Sequence, residues 1–323
     1  MKKIIRWGMV GTGDVTEVKS GPGFYKAKNS ALYAVTNRTF EKAADYARRH
    51  NVEKVYVNID QMIADKNIDA IYIATPPASH KEYAIKCAEA KIPCYIEKPI
   101  TMTYAEHLEL VQTFEKNNTK AFAAYYRRGQ ERFKKVKALI ESGIIGDIRF
   151  VHTTLYRQAS EQEKLNQSWR VHPQISGGGI FMDVGVHQLD ILNFLLGAIE
   201  DVKVFCANKG GFYAPEDTIS AAFKFKNGVQ MTADWCFVAG VSKDEIEIVG
   251  SDGRITLSCF GVDPVILDTA NKKEAFSFSP PDHVHQPLIQ TIVDELNGEG
   301  RCPSTLKDAL NTALVCEKIN LGL

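Results

Sequence analysis

The sequence predicts an α/β protein with an N-terminal doubly wound parallel sheet and a C-terminal α+β domain built on a large, mostly antiparallel, open-faced sheet. Three observations predict this fold class. The chain has 323 residues, 45% of them hydrophobic, which is enough for two cores. From residue 4 to about 122, short β-branched runs alternate with segments of helical periodicity. Beyond residue 125, strand-like runs follow one another through turn-forming connections such as Lys226-Asn227-Gly228.

The alternation in the first part is the rhythm of βαβ units in a parallel sheet. Helical patterns separate the strands, and we place this domain, which has the Rossmann pattern, at residues 1–124. The predicted strands are 4–10, 31–36, 54–57, 70–74, 94–96 and 121–123, and the predicted helices are 39–50, 59–65, 79–90 and 104–117.

The second domain, placed at residues 125–323, begins with a helical pattern and a strand that no crossover helix follows. Gly177-Gly178-Gly179 then opens one strongly apolar helix, predicted over 182–196. Helical tails at 288–296 and 305–319 could pack on either domain, which leaves the end of the second domain open. The other predicted elements are a helix at 133–141 and strands at 148–155, 202–208, 218–225, 229–237, 244–249, 255–258 and 265–268.

Charge and cysteine content exclude several classes of partner. Lys plus Arg and Asp plus Glu number 39 each, so the formal net charge is zero and no global field gathers nucleic acid or acidic membranes. No run approaches the roughly 20 apolar residues of a membrane-spanning helix. The seven cysteines contain no C-x-x-C pair, and His283-x-His285 is interpreted as a surface loop. We expect a cytoplasmic protein with no metal and with neither nucleic-acid nor membrane partners.

The first strand ends in a G-x-G turn at the start of the first βα unit. Glycines at this turn let the backbone approach a pyrophosphate, which then lies on free N–H groups at a helix N-terminus. The third glycine of the usual motif is Thr16 here, so an ordinary tight turn is the alternative. The residues predicted to bind the nucleotide at this turn are Gly11, Thr12, Gly13, Asp14 and Val15.

The second strand ends in Asn37-Arg38, where an acidic residue would read the 2′-hydroxyl of NAD. Without that carboxylate a 2′-phosphate is not repelled, and Arg38 is able to pair with it. Asn37 and Arg38 are therefore predicted to bind the cofactor, with NADP favoured over NAD. The alternative is that Arg38 stacks on the adenine or lies on the surface, which suits either cofactor.

Further segments join the glycine turn in a pattern of known order. They are Ala74-Thr75-Pro76-Pro77-x-x-His80, Glu97-Lys98-Pro99, Gly177-Gly178-Gly179 and Asp183-x-x-x-His187-x-x-Asp190. Over nearly the whole chain this pattern resembles the glucose–fructose oxidoreductase, inositol dehydrogenase and rhizopine catabolism family, abbreviated Gfo/Idh/MocA. Within that family, Tyr125-Tyr126-Arg127-Arg128 and Trp169-Arg170 are most similar to the branch of 1,5-anhydrofructose reductases and dihydrodiol dehydrogenase-like proteins.

The resemblance implies that Lys98 hydrogen-bonds the reacting hydroxyl or carbonyl and helps to relay its proton. Pro99 biases Lys98 toward an extended backbone, which sets the direction of the lysine. Asp183 and His187 are four residues apart on the predicted helix and so share a face, where a carboxylate would tune the imidazole for acid–base work. Asp190, one turn beyond, is a further candidate to orient the ring. The alternative makes Asp183 a local partner and His187 a core residue.

The resemblance also implies which residues line the cofactor and the substrate. Beside Lys98, the cofactor-binding candidates are Ala74, Thr75, Pro76, His80 and Glu97. Arginines and aromatic rings suit hydroxylated or carboxylated ligands. The substrate-binding candidates are Arg127, Tyr156, Arg157, Trp169, Arg170 and His187. Packing, or pairing across the domain junction, is the alternative for each of these arginines and aromatic residues. A helix start without chemistry is the alternative for His80.

Taken together, the resemblance implies an NAD(P)-dependent oxidoreductase. Its substrate would be a secondary alcohol or ketone of a sugar, cyclitol or related polyol. It also implies a homodimer or homotetramer formed through the second sheet. Two other classes stay open, an NAD-dependent glycosidase that oxidises its sugar transiently and a noncatalytic nucleotide-binding regulator.

Overall fold

The computed structural model describes residues 2–323, which form two compact units. The first unit comprises the residues up to Gln130 together with Pro281–Leu310. The second unit comprises Glu131–Pro280 together with Asn311–Leu323. The chain therefore leaves the first unit after Gln130 and returns to it for one segment near the C-terminus. This return places the first of the two C-terminal helical tails, which the sequence left open, in the first unit.

A parallel sheet forms the centre of the first unit, as predicted. Its strands are β1 (Ile5–Val10), β2 (Ser30–Thr36), β3 (Lys54–Tyr56), β4 (Ala70–Ile73), β5 (Cys94–Ile96) and β6 (Ala121–Ala123). They lie in the order β3-β2-β1-β4-β5-β6 and every neighbouring pair is parallel. The connection reverses direction between β1 and β4, the point at which doubly wound sheets bind ligands at the carboxyl ends of their strands.

Helices with recognisable caps connect these strands. Asn58 and Thr103 accept the backbone N–H groups of Gln61 (3.0 Å) and Glu106 (3.2 Å) at two helix starts. Two short helices follow the glycine turn. The helices are α1 (Asp14–Val18), α2 (Gly21–Lys26), α3 (Phe40–His50), α4 (Ile59–Ala64), α5 (His80–Glu89) and α6 (Tyr104–Lys116).

The core of the first unit combines aromatic rings from the sheet and α2 with side chains from the returning segment. Phe24 lies between Trp7 and Tyr72, with ring centroids 4.9 Å from each. Ile289 and Ile292, from the returning helix, are fully buried in the same cluster. The returning segment is therefore part of the core of the first unit.

The second unit is built on an eight-stranded sheet that is antiparallel except for one pair. Its strands are β7 (Ile148–Tyr156), β8 (Ile199–Ala207), β9 (Thr218–Phe225), β10 (Gln230–Cys236), β11 (Lys243–Gly250), β12 (Gly253–Leu257), β13 (Val265–Thr269) and β14 (Lys273–Phe276). They lie in the order β14-β13-β12-β11-β7-β10-β9-β8, and only β7 and β10 run parallel. The predicted mostly antiparallel sheet is confirmed.

One face of this sheet is buried and the other is open. Side chains alternate between buried and exposed along β9 and β10, the pattern of a sheet covered on one side. Trp235 is fully buried, and its indole N–H donates to Gln188 Oε1 at 2.7 Å. On the open face, Phe205 is 82% exposed. The open face thus carries apolar surface beside polar side chains.

The helix predicted over residues 182–196 is in fact two helices, so that prediction is wrong. One helix ends at Asp183 and the next begins at Gly185. No single helix within residues 2–323 is long and apolar enough to cross a membrane. The bent pair Pro173–Asp183 and Gly185–Leu196 (57°) meets that test only together. A Cβ on Gly185 would lie 2.2 Å from the Phe181 ring, so this ring packs directly on the Gly185 backbone at the break.

The remaining helices complete the list. They are α7 (Glu131–Glu141), α8 (Glu161–Lys164), α9 (Pro173–Ser176), α10 (Ile180–Asp183), α11 (Gly185–Leu196), α12 (Gln286–Leu296) and α13 (Leu306–Asn320). Of these, α12 belongs to the first unit, and α7 to α11 belong to the second.

Candidate active site

The G-x-G turn follows β1, and its two glycines are required for different reasons. Gly11 has a φ of +97°, and a Cβ there would lie 2.7 Å from the carbonyl oxygen of Ala74. Gly11 is thus required by the protein's own packing. A Cβ on Gly13 would meet no atom within 4 Å, and Thr16 Oγ1 donates to the Gly13 carbonyl at 2.7 Å. The open space at Gly13 fits the close approach of a nucleotide pyrophosphate.

Substituting the two glycines by alanine therefore has different expected results. Gly11→Ala is expected to lower the free energy of unfolding by about 1–3 kcal/mol, because a Cβ there is strained and meets backbone. Gly13→Ala is expected to leave that free energy unchanged and to weaken nucleotide binding by about tenfold. Denaturant unfolding and nucleotide titration of both variants test this. A Gly13→Ala protein that binds nucleotide as the wild type does would contradict the assignment of the turn.

The residues that follow β2 are held by local hydrogen bonds. Asn37 donates from Nδ2 to Thr12 Oγ1 at 2.8 Å, and its Oδ1 accepts the Thr39 N–H at 3.0 Å. Asn37 thereby joins the turn after β2 to the turn after β1. Arg38 is exposed and has no hydrogen-bond or ion-pair partner among residues 2–323. Its guanidinium remains available to an anionic ligand.

The segment after β4 contains the predicted cofactor wall. Ser79 Oγ contacts Thr75 Oγ1 at 2.8 Å and donates to the Pro76 carbonyl at 2.9 Å, which closes a tight turn. Thr75 is half-buried and Pro76 is exposed at the carboxyl end of the strand, as a ligand-lining wall requires. His80, by contrast, is fully buried, with Nε2 2.7 Å from the Thr75 carbonyl oxygen. His80 therefore acts on this wall through the backbone.

Lys98 follows β5, directly after Glu97, whose carboxylate is held by hydrogen bonds. Glu97 is 7% exposed and accepts hydrogen bonds from the Tyr72 hydroxyl and from the Lys98 N–H at 3.3 Å. The Lys98–Pro99 peptide bond is cis. Lys98 itself is half-buried, so its ammonium projects from a fixed backbone at the edge of the sheet.

A buried histidine from the returning segment lies under Glu97, and sequence reasoning missed it. His285 is 1% exposed, its Nδ1 lies 3.7 Å from Glu97 Oε1, and the Tyr95 hydroxyl is 2.9 Å from the same nitrogen. Burial, then the charges of Lys98, Lys19 and Arg127, lower the pKa of His285 to about 3. His285 is therefore neutral, and its interpretation as part of a surface loop is wrong.

Arg127 lies in the first unit, next to this buried network. It is 6% exposed, its guanidinium lies 4.8 Å from the centroid of the Tyr126 ring, and the Tyr126 ring lies 4.4 Å from that of His285. The charges of Arg127 and Lys98 both act on His285 and lower its pKa. No signal near residue 285 indicated this arrangement, because it depends on the path of the chain.

In the second unit, Asp183 and His187 lie on either side of the helix break. Asp183 ends α10 and its Oδ2 pairs with Arg170 Nε at 2.5 Å. His187, 5% exposed, lies in α11 with its ring centroid 5.9 Å from that of Phe260 in an edge-to-face arrangement. The prediction that Asp183 and His187 lie on one helix is therefore wrong, and the two residues flank the same bend.

Asp190 and the aromatic candidates have identifiable partners in the second unit. Thr312 Oγ1 donates to Asp190 Oδ1 at 3.2 Å, and Asp190 is buried. Trp169 is 41% exposed and carries the Arg170 guanidinium 4.9 Å from its ring centroid. Trp169 and Arg170 thus form one exposed surface, with Asp183 joined to it through Arg170. These contacts also leave the Trp169 ring open to a ligand.

The two other substrate candidates lie at the end of β7. Tyr156 is half-buried there. Arg157 forms a two-point pair with Glu163, at 2.7 and 2.9 Å, which fixes α8 and its capping box. The structure therefore gives Arg157 a packing role within the second unit.

A clamped turn presents Phe260 to His187, and no feature of the sequence had indicated it. Asp244 accepts the backbone N–H groups of Cys259 and Gly261, each at 3.1 Å. Arg132 donates to the carbonyl groups of Gly261 and Asp263 from the other side. The ring of Phe260 is thereby held at a fixed place beside His187. Within residues 2–323 no group of three or more His, Cys, Asp or Glu side chains is placed to hold a metal ion.

Comparison with known proteins identifies the family. Residues 5–125 match the family described as "Oxidoreductase family, NAD-binding Rossmann fold", and residues 133–256 match the GFO/IDH/MocA C-terminal domain. The chain is 35% identical to Oxidoreductase P35 of Formosa agariphila, over 96% of each chain. The chain belongs to the Gfo/Idh/MocA oxidoreductase family. The resemblance stated from the sequence motifs is thus confirmed.

More distant Gfo/Idh/MocA relatives include named sugar and cyclitol enzymes. The chain is 27% identical to myo-inositol 2-dehydrogenase of Thermotoga maritima, over 78% of this chain and 74% of that one. It is 23% identical to 1,5-anhydro-D-fructose reductase of Ensifer adhaerens, over 94% and 92%. An Agrobacterium radiobacter oxidoreductase, solved with NAD+, L-tartaric acid and magnesium, shares the fold with a TM-score of 0.88 at 20% identity, over 99% and 96%. The family models and these relatives therefore agree on the fold, on a nicotinamide cofactor and on oxidoreduction as the reaction class.

Proposed function

We propose that this protein is an NAD(P)-dependent oxidoreductase that interconverts a secondary alcohol and a ketone in a sugar, cyclitol or related polyol. One observation carries the proposal. The turns after β1, β4 and β5, which hold Gly11–Gly13, Thr75–Pro76 and Lys98, leave three neighbouring strands at one edge of one parallel sheet. This edge supplies a nucleotide turn, a wall and a cation side by side.

The residues on this edge fit a nicotinamide nucleotide. Gly13 offers open space for a pyrophosphate, and Arg38 offers a guanidinium without an internal partner. When bound, the nicotinamide ring supplies or accepts the hydride. Nothing beyond hydride acceptance and donation is then required of the cofactor, and the protein has to place the alcohol and move its proton.

The protein groups divide the proton chemistry between them in this proposal. Lys98 donates a hydrogen bond to the reacting oxygen and stabilises the negative charge that develops on it. His187 takes the hydroxyl proton during oxidation and returns it during reduction. Asp183, fixed by Arg170, is the carboxylate that favours the charged imidazole. Trp169, Arg170, Tyr156 and Arg127 are proposed to contact the substrate.

We propose NADP as the preferred nucleotide, on the basis of Arg38. Arg38→Ala is expected to weaken NADPH binding about tenfold more than NADH binding, because only the former loses a charge-assisted pair with a phosphate. Lys42→Ala, an exposed cation on the next helix, is the matched control and is expected to change neither. Fluorescence titration of both nucleotides measures the ratio, and an equal loss for the two would contradict the preference.

The whole proposal is tested by titrating the purified protein with NADPH and NADH, after a denatured sample has been assayed for copurified nucleotide. Reversible binding, followed by nucleotide reduction in the presence of myo-inositol or a pyranose, is the expected result. Absence of binding by either nucleotide would overturn the proposal. Retained nucleotide with no net change in its redox state would replace it with internal redox recycling.

Two further parts of the proposal concern assembly and compartment. We propose that the open face of the eight-stranded sheet pairs identical subunits, since Phe205 on β8 and Phe150 on β7 are 82% and 39% exposed there. Sedimentation velocity of the full chain tests this, and a monomer at micromolar concentration would contradict it.

The cytoplasm is the proposed compartment, in keeping with seven free thiols, five of them buried.

A further inference from the structure

His80 connects two of the segments that leave the sheet at the nucleotide edge. Its ring is fully buried. Nε2 lies 2.7 Å from the carbonyl oxygen of Thr75, in the wall after β4. Nδ1 lies 3.0 Å from the carbonyl oxygen of Pro99 and 3.2 Å from that of Ile100, directly after Lys98. One imidazole therefore lies between the nicotinamide-side wall and the segment that positions Lys98.

The hydrogen count at this ring is unusual. A carbonyl oxygen only accepts hydrogen bonds, and a neutral imidazole carries one N–H and one lone pair. With carbonyl oxygens at both nitrogens, both contacts are hydrogen bonds only when the ring carries two protons. A neutral ring donates to one segment and turns a lone pair toward the oxygen of the other, which is repulsive.

We propose that His80 is a positioning residue whose second proton decides whether the Thr75 and Pro99 segments are both held. The protonated ring holds both segments, an arrangement that we call the clamp. The neutral ring holds only one of them. The proposal rests on the proposed function, because those segments matter only if they place a nicotinamide and Lys98. It departs from the sequence prediction that His80 itself contacts the cofactor.

The surroundings of His80 leave its charge to be decided by burial and the carbonyl groups alone. Burial lowers the pKa of His80, and the three carbonyl hydrogen bonds raise it. No charged side chain contributes, although several lie on the neighbouring elements. These are Lys81, Glu82, Lys86 and Glu89 on α5, Glu106, His107, Glu109, Glu115 and Lys116 on α6, and Glu97 and Lys98 after β5.

Most of these groups already have partners elsewhere. Lys81 pairs with Glu109 at 2.7 Å, and Glu106 accepts the Met102 N–H at 3.2 Å. Glu97 accepts from Tyr72. Because the pKa of His80 is lowered, the clamp is complete on the acidic side of that pKa and loses one bond as the pH rises through it.

His107 offers a matched control within the same unit. It is also buried, at 1% exposure, and burial lowers its pKa to about 4. Only its Nε2 has a partner, the carbonyl oxygen of Leu306 at 3.0 Å, while Nδ1 has no hydrogen-bond partner among residues 2–323. A neutral ring makes that one hydrogen bond, and no carbonyl oxygen faces the lone pair on Nδ1. His107 and His80 thus differ in the one property that the proposal invokes.

The first experiment reads the protons of the two rings directly in the full chain. Nitrogen-15 spectra of the histidine rings are recorded from the most acidic pH at which the chain stays folded up to pH 9, and are assigned with His80→Gln and His107→Gln. For His80 we expect both nitrogens to carry protons at the acidic end and one to lose its proton as the pH rises. A His80 ring with one unprotonated nitrogen at every pH would overturn the proposal, whether or not the protein turns over any polyol.

The second experiment measures what the clamp does. A glutamine at position 80 cannot gain a proton, so it imitates the neutral ring. The ratio of the NADH dissociation constants of His80→Gln and wild type is expected to be about tenfold below the pKa of His80 and about one above it, where tenfold corresponds to about 1.4 kcal/mol. His107→Gln is expected to give a ratio that does not change with pH.

The use of NADH, and of the ratio of the dissociation constants of variant and wild type, removes the effects of other groups that titrate. NADH lacks the 2′-phosphate, whose own second pKa is about 6. Titration of groups other than His80 affects wild type and variant alike and cancels in the ratio. A pH-independent ratio for His80→Gln would overturn the clamp while leaving the oxidoreductase proposal intact, whereas no NADH binding by the wild type would overturn both. If His80→Gln does not fold, the wild-type spectra decide, with the His80 ring assigned through its own backbone resonances.

Discussion

Lys98→Ala is expected to lower turnover by about a thousand-fold while nucleotide affinity stays within about threefold of wild type. The reason is that the Lys98 ammonium is proposed to meet the oxygen only as negative charge develops on it, so its loss acts mainly on the transition state. The backbone around it is held independently, by β5 and by the Tyr72–Glu97 hydrogen bond. Removing the side chain therefore leaves the nucleotide turn in place.

The measurement is steady-state turnover with a saturating polyol, alongside nucleotide titration of the same preparation. Lys86→Ala is the matched control, because Lys86 is a half-buried lysine, as Lys98 is, and pairs with Asp60 at 3.0 Å on the same unit. It is expected to retain full turnover. Turnover by Lys98→Ala at a tenth of the wild-type rate or more would remove Lys98 from the mechanism, since general acid–base groups contribute about a hundredfold or more.

His187→Asn is expected to produce a loss of similar size, about a hundred- to ten-thousand-fold, together with loss of the pH dependence that the imidazole confers. Asparagine retains hydrogen-bonding capacity without titrating, so the change separates proton transfer from binding. The Michaelis constant for the polyol is expected to change much less than turnover. His152→Asn is the control, because His152 is an exposed histidine on β7.

Asp183→Asn separates the imidazole from the group proposed to tune it. Because Asp183 already pairs with Arg170, its field on His187 is shared, and the variant is expected to shift the pH profile and to retain more activity than His187→Asn. Profiles of turnover against pH for the two variants make the comparison. Full turnover with an unchanged profile in His187→Asn would assign the proton transfer to another group.

Local sequence signals predicted the elements that depend on neighbouring residues. The G-x-G turn, the strand that precedes Lys98 and the alternation along β9 and β10 all follow from periodicity and turn chemistry within about ten residues. The parallel order around the first sheet follows because connections through helices are compatible with few topologies. The doubly wound sheet, the second antiparallel sheet and the family were therefore all accessible from sequence, and each is confirmed.

The helix break at Val184 shows where periodicity misleads. Apolar residues recur at helical spacing from Met182 to Leu196, so the pattern predicts one helix. In the structure the two helices are bent by 57° at this break, and the Phe181 ring packs on the backbone of Gly185 there. The sequence therefore predicted one helix where the structure has two, and the roles of Asp183 and His187 stay predictions.

The sequence by itself determined the two sheets, the nucleotide turn and the lysine at the end of β5, because short-range propensities and motif spacing specify them. Only the tertiary structure decided that His285 lies beneath Glu97 and that Asp244 and Arg132 clamp the turn of Phe260. It also decided that His80 lies between two backbone segments. Such contacts join residues that are distant in sequence, and their energy depends on burial and hydrogen bonds that do not exist until the chain has folded.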